Sequence, residues 1–289
     1  MRNLLDILKE AGKSKIAVGH FNFSDLVVLR AVFEAASGLR VPVMVGTSEG
    51  EREFVGVRQA VALVKSLRDE HDFPIYINAD HTYSLDKVEE AAGAGYDEIL
   101  FDGSKLTFKE NVRQTKHAVE LAKSINPEIL VEGEIGYIGA SSEIIEKRPK
   151  ESLKLTTPEE AKQFVEETGI DVLAPAVGNM HGLLEEMVAG KIRKRLNIQR
   201  IREIKSAVEI PLTLHGGSGT DEKDFVEAIN AGINIIHINT EIRLAWRRGV
   251  EEGLKSNPKE IAPYKIFPPA FRAVRKITEE RLKLFNRIS

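Results

Sequence analysis

The 289-residue chain contains no cysteine. That excludes disulfides and thiolate ligands, so a bound metal has to be held by histidine and carboxylate side chains. Excess charge is also missing: 41 Lys and Arg stand against 44 Asp and Glu, a formal net charge of -3. Without a broad basic face, neither nucleic acid nor anionic lipid is an expected partner. No apolar run approaches the roughly 20 residues of a membrane-spanning helix. The opening segment MRNLLDILKEAGKSK is amphipathic and mixed in charge, without the apolar stretch and small-residue cleavage site of a secretory leader. Together these absences predict a soluble, cytoplasmic protein that acts on small molecules. The first apolar segment is not followed by GxGxxG, which removes the usual dinucleotide signature.

What the chain does have is a rhythm. Short apolar or β-branched runs recur as KIAVGHF at 15–21, VPVMVG at 41–46, IYINAD at 75–80, EILFD at 98–102, EILVEGE at 128–134, DVLAPAV at 171–177, IPLTLH at 210–215 and INIIHIN at 233–239. Near-continuous apolar character marks strands covered on both faces, as in parallel sheets. Between them lie helical patterns with cap or proline signals, such as DLVVLRAVFEAAS from Asp25, SLDKVEEAAGAG from Ser84 and TTPEEAKQFVEETG from Thr156. Eight such alternations in a chain of this length predict an α/β protein: a closed (β/α)8 barrel of the TIM type in one domain over 1–289. A C-terminal helical extension over about 266–289 would pack outside the barrel or against a neighbouring subunit.

Two intervals break the rhythm, 140–157 after the fifth strand and 182–197 after the sixth. Long loops after barrel strands are read as active-site lids, with a solvated insertion as the bland alternative. The second contains KIRKR at 191–195. An RNA patch is one reading of it; a loop that meets a phosphorylated substrate, or simply faces solvent, is the preferred one.

The strand ends carry the chemistry. They read GHFN, GTSEG, NADH, FDGS, EGEIG, GNMHG, LHGGSG and HINT, and a barrel gathers ends of one polarity at a single mouth. Five of the seven histidines, His20, His81, His181, His215 and His237, sit there, while His71 and His117 fall in helical stretches. A lone histidine at such a place would satisfy backbone groups. His81, His181 and His215, two of them followed by glycine, instead suggest three neutral imidazoles around a metal with an open coordination position. Zinc suits that set, although cobalt, iron or manganese fit the same ligands.

Gly182, Gly216, Gly217 and Ser218, with Asn239 and Thr240 across the mouth, suggest an anion site for a phosphorylated substrate. GGSG alone would also fit a tight turn before a helix at Asp221. Among carboxylates, Asp80 adjoins His81, and their side chains point to opposite faces unless the chain has begun to turn. Asp102, Glu132 and Glu134 end the fourth and fifth strands, the latter two on one face. Each is a candidate acid, base or partner of a histidine.

Taken in order, AVGHFN, ADHT, FDGS, VEGEIG, TGIDVLAPAVGNMHG, LHGGSG and INTE resemble the class II fructose- or tagatose-bisphosphate aldolases nearly end to end. The resemblance implies a catalytic zinc bound by His81, His181 and His215, with Asp102 and Glu134 matching acids that hold a second or displaced metal. Asp80 matches the residue that exchanges a proton with the aldol hydroxyl. Gly182, Gly216, Gly217 and Ser218, and the run from His237 through Asn239 to Thr240, match segments around dihydroxyacetone phosphate, with Asn22 and Ser48 at weaker substrate-side positions. It further implies a monovalent cation near the phosphate, a phosphorylated ketose as partner, and a homodimer or homotetramer.

Two departures stand out. Relatives carry a carbon-protonating glutamate in a Gly-Gln-Glu-Asp-like run after the fifth strand; here the run is Gly139, Ala140, Ser141, Ser142, Glu143. Glu143 is the nearest candidate, with Glu146 or no residue as alternatives. The family also has Asn where this chain has His237, and a small residue where it has His20. These positions would be neighbours once the barrel closes, implying either a simple exchange of hydrogen-bond donor or a changed substrate or metal contact. Other readings of the chain are a different retro-aldol or isomerase reaction on a phosphosugar, a lysine Schiff-base aldolase, or a metal-bound protein without turnover.

Overall fold

The computed structural model describes residues 2–139, 143–145 and 154–288. Helix α1 (Leu4–Ser14), capped by the Asn3 side chain on Leu5 N–H, precedes β1 (Val18–Asn22) and α2 (Leu26–Leu39). Next come β2 (Val43–Thr47), α3 (Glu49–Val55), α4 (Val57–His71), β3 (Ile75–Thr82), α5 (Leu85–Ala94), β4 (Glu98–Phe101), α6 (Phe108–Ile125) and β5 (Leu130–Ile135). A short β6 (Ile144–Ile145) leads to α7 (Pro158–Thr168), β7 (Val172–Pro175), β8 (Leu183–Leu184), α8 (Glu185–Val188) and α9 (Ile198–Ala207). The chain ends through β9 (Leu212–Leu214), α10 (Glu222–Ala231), β10 (Ile233–His237), α11 (Thr240–Ser256), α12 (Pro263–Ile266) and α13 (Pro268–Asn286).

Eight strands close into a parallel barrel in the order β1-β10-β9-β7-β5-β4-β3-β2, and each matches one of the eight runs read from the sequence. Among the described residues the remaining two, β6 and β8, pair only with each other, Ile144 with Leu183 and Ile145 with Leu184. This ribbon ties the loop after β5 to the loop after β7. Its residues lie inside the two intervals that interrupt the rhythm.

Inside the barrel, period-two alternation stacks side chains in layers. The floor is apolar: Val18, Tyr76, Leu130, Val172 and Ile235 pack with Leu4, Ile7, Leu8 and Ala11 of α1, which plugs the N-terminal end. Two residues further along the same strands stand His20, Asn78, Glu132 and His237, all buried. One more step brings Asn22, Asp80 and Glu134 to the mouth. The C-terminal helix α13 packs on β1 from outside, against α2 and α11. Its Val274, Leu282 and Phe285 are fully buried in the main core, and the Phe285 carbonyl accepts from Ala17 N–H at 3.1 Å.

Candidate metal and phosphate site

Adjacent residues of a regular strand face opposite ways, yet Asp80 and His81 both face the mouth. The reason is a local break: His81 has φ +41°, and the β3–β4 register shifts between Ala79 and Thr82. Left-handed backbone at a non-glycine residue costs of order 1–3 kcal/mol and persists only when its surroundings enforce it. The buried Arg52 of α3 supplies the enforcement. Its guanidinium donates to the Asp80 carbonyl and to Thr82 Oγ1, both at 3.1 Å, and also to the Thr47 carbonyl. Nothing in the sequence around Arg52 marks it for that task.

His81, His181, His215 and Glu134 come together at the mouth. Each offers a ligand atom, and the four atoms all lie within 4.8 Å of one another. The three rings meet edge to face, with centroids 4.8 Å (His81–His181), 5.1 Å (His81–His215) and 5.8 Å (His181–His215) apart. Among the described residues His81 Nε2, His181 Nε2, His215 Nδ1 and both Glu134 carboxylate oxygens are buried without a hydrogen-bond partner. Such a concentration of unmatched lone pairs is costly in a protein interior and fits a bound cation.

The outer nitrogens are committed. His81 Nδ1 donates to Asp102 Oδ2 at 2.8 Å, and His215 Nε2 bonds Glu132 Oε1 at 2.8 Å. A carboxylate behind a ligating imidazole fixes its tautomer and raises its basicity. Asp102 thus stands behind His81 rather than in the quartet, and its other oxygen accepts from Ser104 N–H at 3.0 Å.

The electrostatics agree. Burial works against a charge on His81, but Asp80, Asp102 and Glu134 outweigh it and raise that imidazole to about 10. The carboxylates therefore favour a positive charge at this point, which a divalent cation would also provide. His215 is lowered to about 3 and His181 well below its ordinary value, by burial and then by His81, so both are neutral and able to donate lone pairs. Burial would raise Asp80; His81, His20, His215 and the Asn22 amide hold it below the usual range, and it is anionic.

Beside the quartet, Asn22, Asp80, His181, Gly216, Ser218, His237, Asn239 and Thr240 line one small cavity. Asn22 Nδ2 donates to Asp80 Oδ2 at 2.7 Å and to Glu51 Oε2 at 2.9 Å. Asp80 Oδ1 lies 3.8 Å from His81 Nε2 and 3.7 Å from His237 Nδ1. The seventeen-residue α11 starts at the cavity with Asn239 at its N-cap; the Asn239 side chain does not cap it, and of its first N–H groups that of Glu241 donates to Ser218 Oγ at 3.3 Å. Uncapped N–H groups at a helix start suit an anion. Gly216, at φ +60°, is a necessary glycine: a Cβ there would lie 2.3 Å from the Met180 carbonyl oxygen.

Not every candidate converges. Gly182 and Gly217 shape the adjoining loops; the Gly217 N–H is spent on the His237 carbonyl at 3.0 Å, which leaves it no part as an anion donor. Ser48 caps α3, its hydroxyl donating to Glu51 Oε2 at 2.9 Å, and reaches the cavity only through Glu51 and Asn22. Glu143 is exposed at the rim, its carbonyl accepting from Leu183 N–H at 2.8 Å. Glu146 lies outside the described residues.

His20 and His237 are register partners on β1 and β10, and their rings stack at 3.5 Å with 5° between planes. His237 also lies 3.9 Å from the His215 ring. A Cβ at Gly46 would fall 2.4 Å from His20 Nε2, so that glycine makes room for the stack. Sequence reasoning passed over two members of the polar layer below, Asn78 and Glu98, where Asn78 Nδ2 donates to Glu98 Oε2 at 2.9 Å. Burial raises both Glu98 and Glu132.

A family model described as fructose-bisphosphate aldolase class-II matches residues 2–288. The fructose-bisphosphate aldolase of Thermus caldophilus is 34% identical over 98% of this chain and 97% of its own length. The probable fructose-bisphosphate aldolase of Bacillus subtilis is 33% identical over 99% and 96%. Among solved structures, the YdjI aldolase of Escherichia coli K12 superposes with a TM-score of 0.82 at 28% identity, covering 98% of this chain and 96% of that one.

Proposed function

Since the chain belongs to the class II fructose-bisphosphate aldolases, a family of metal-dependent lyases, we propose that it reversibly cleaves a ketose 1,6-bisphosphate, of fructose or tagatose configuration, into dihydroxyacetone phosphate and glyceraldehyde 3-phosphate. The observation that carries the reading is the quartet His81, Glu134, His181 and His215 beside the anionic Asp80. These four residues would hold the divalent metal, zinc by the chemistry of the set. When bound, that ion supplies a Lewis acid that draws charge from the substrate carbonyl.

In the cleavage direction Asp80 Oδ1 accepts the proton of the C4 hydroxyl as the C3–C4 bond breaks, with the bonding electrons passing toward the C2 carbonyl and the aldehyde leaving. Asn22 aims that carboxylate, and the start of α11 with Ser218 receives the phosphate of the three-carbon half. We assign the proton returned to C3 to Glu143. Exchange of dihydroxyacetone phosphate hydrogen with deuterated water, lost in Glu143→Gln, tests this role.

A coupled assay for dihydroxyacetone phosphate release from both bisphosphates, with and without chelator, tests the whole. Release should stop on chelation and return with zinc, and borohydride should trap no substrate adduct. Turnover that survives metal removal, or a trapped Schiff base, defeats the proposal. Tight binding of dihydroxyacetone phosphate without turnover would favour a binding protein instead. A second reading, a different phosphosugar, is favoured by one observation: the His20–His237 stack puts a bulky ring in the wall of the cavity.

A further inference from the structure

The basic run at 191–195 does not act as one patch. Arg193 is exposed, and Arg195 grips both Asp224 oxygens at 2.9 Å. Lys194, between them, is only 3% exposed. Its backbone is laid along the turn that follows His215: Lys194 N–H donates to the Gly219 carbonyl at 2.8 Å, and Asp221 N–H donates to the Lys194 carbonyl at 3.1 Å. This rung fixes where the side chain leaves the main chain. The ammonium then runs inward, and Nζ donates to the carbonyls of Met180 at 2.7 Å, Gly182 at 2.7 Å and Gly216 at 3.0 Å.

Those three oxygens belong to the two loops that present His181 and His215. An ammonium has three N–H donors, and three carbonyls receive them. Taking a full charge out of water costs several kcal/mol unless it is matched. Carbonyl dipoles contribute to that match, and an anion arriving at Gly216 and Ser218 would add to it. Backbone carbonyls converging on one point are also a donor set that strips water from an alkali cation.

We propose that the Lys194 ammonium is the resident monocation of the phosphate end of this site, standing where the same carbonyls would otherwise recruit K⁺ or Na⁺. It takes the place of the monovalent metal ion that the family resemblance implies. Binding of the phosphorylated ligand is then independent of monovalent metal ions. Lys194 is a positioning residue: it holds two ligand-bearing loops together and places a fixed positive charge behind the anion cradle. The inference deepens the aldolase reading and rests on it for the identity of the anion.

Two measurements decide it. In crystals of the full chain soaked in thallium(I), anomalous density should be absent between the Met180, Gly182 and Gly216 carbonyls and should appear there in Lys194→Met; a peak in the parent overturns the proposal. By calorimetry at constant ionic strength, the parent should bind dihydroxyacetone phosphate equally in K⁺ and in tetramethylammonium. Lys194→Met should bind it at least about tenfold more weakly in tetramethylammonium, the size of one lost charge-assisted contact, and recover in part with K⁺. Affinity of the parent that rises about tenfold with K⁺, or a Lys194→Met that binds as the parent does, also overturns it. Should Lys194→Met fail to fold, the two parent measurements still decide. A parent that binds no dihydroxyacetone phosphate at all would count against the aldolase reading, while the thallium result would stand on its own.

Discussion

Replacing Asp102 separates a ligand from the residue that aims a ligand. Its Oδ2 accepts from His81 Nδ1 at 2.8 Å and its Oδ1 from Ser104 N–H at 3.0 Å. Asp102→Leu keeps roughly the volume and leaves the Nδ1–H buried without an acceptor once the ring is fixed by metal. That loss costs about 1–3 kcal/mol, or roughly 5- to 150-fold in metal affinity. An opposing effect narrows the range. Asp102 helps hold His81 at about 10, so its removal also weakens the proton that competes with the metal. About tenfold weaker zinc binding is the expected result. Asp102→Asn retains one acceptor oxygen, which can serve His81 Nδ1–H at the expense of the Ser104 N–H, and should lose less. The assay is competition for zinc against a chromophoric chelator at neutral pH, with thermal melts of the metal-free proteins as a control on folding. Zinc affinity of the Leu variant within twofold of the parent would refute the reasoning. So would a loss as complete as that of His81→Ala, because Asp102 would then be binding the metal directly.

Three further outcomes are expected. With His81 raised to about 10, the metal-free protein carries a proton there at neutral pH, and binding must expel it; affinity therefore falls about tenfold for each pH unit lowered beneath that value. Glu134 is likewise raised well above its ordinary value by burial, so calorimetry in buffers of different ionisation enthalpy should report at least about one proton released per metal, and a slope of zero would be the contrary result. Arg52→Met removes the clamp on the Asp80–Thr82 bulge. It should cost about 2–4 kcal/mol, seen as a lower melting temperature, and should weaken metal binding as His81 relaxes from its left-handed backbone. His237→Asn removes a ring from the cavity wall and should change the ratio of fructose to tagatose 1,6-bisphosphate cleavage. An unchanged ratio together with unchanged metal content would show that the histidine only replaces an amide.

The mouth of the barrel was legible because its residues punctuate the sequence: each strand stops in a histidine, acid or glycine, and closure brings those stops together. Part of the polar layer beneath it was not. Asn78 and Glu98 are single polar letters within runs that otherwise read as strands buried on both faces, and that reading assigns the inward positions to apolar packing. Only the pairing of Asn78 with Glu98 reveals them, whereas Glu132, a candidate partner of a histidine from its strand-end position, stands behind His215. Lys194 was hidden in a different way, since four of the five residues in KIRKR are basic, Lys194 among them, and composition points all of them at solvent. A backbone rung along Gly219 and Asp221 decides which one turns inward, and that depends on tertiary register that composition does not carry. Asp80 and His81 show the same limit from the other side. Alternation puts them on opposite faces, and the chain departs from alternation there because Arg52, some thirty residues earlier, holds the bulge. A strand that followed its own pattern would separate the proton acceptor from the metal ligand, so the chemistry depends on this departure being enforced.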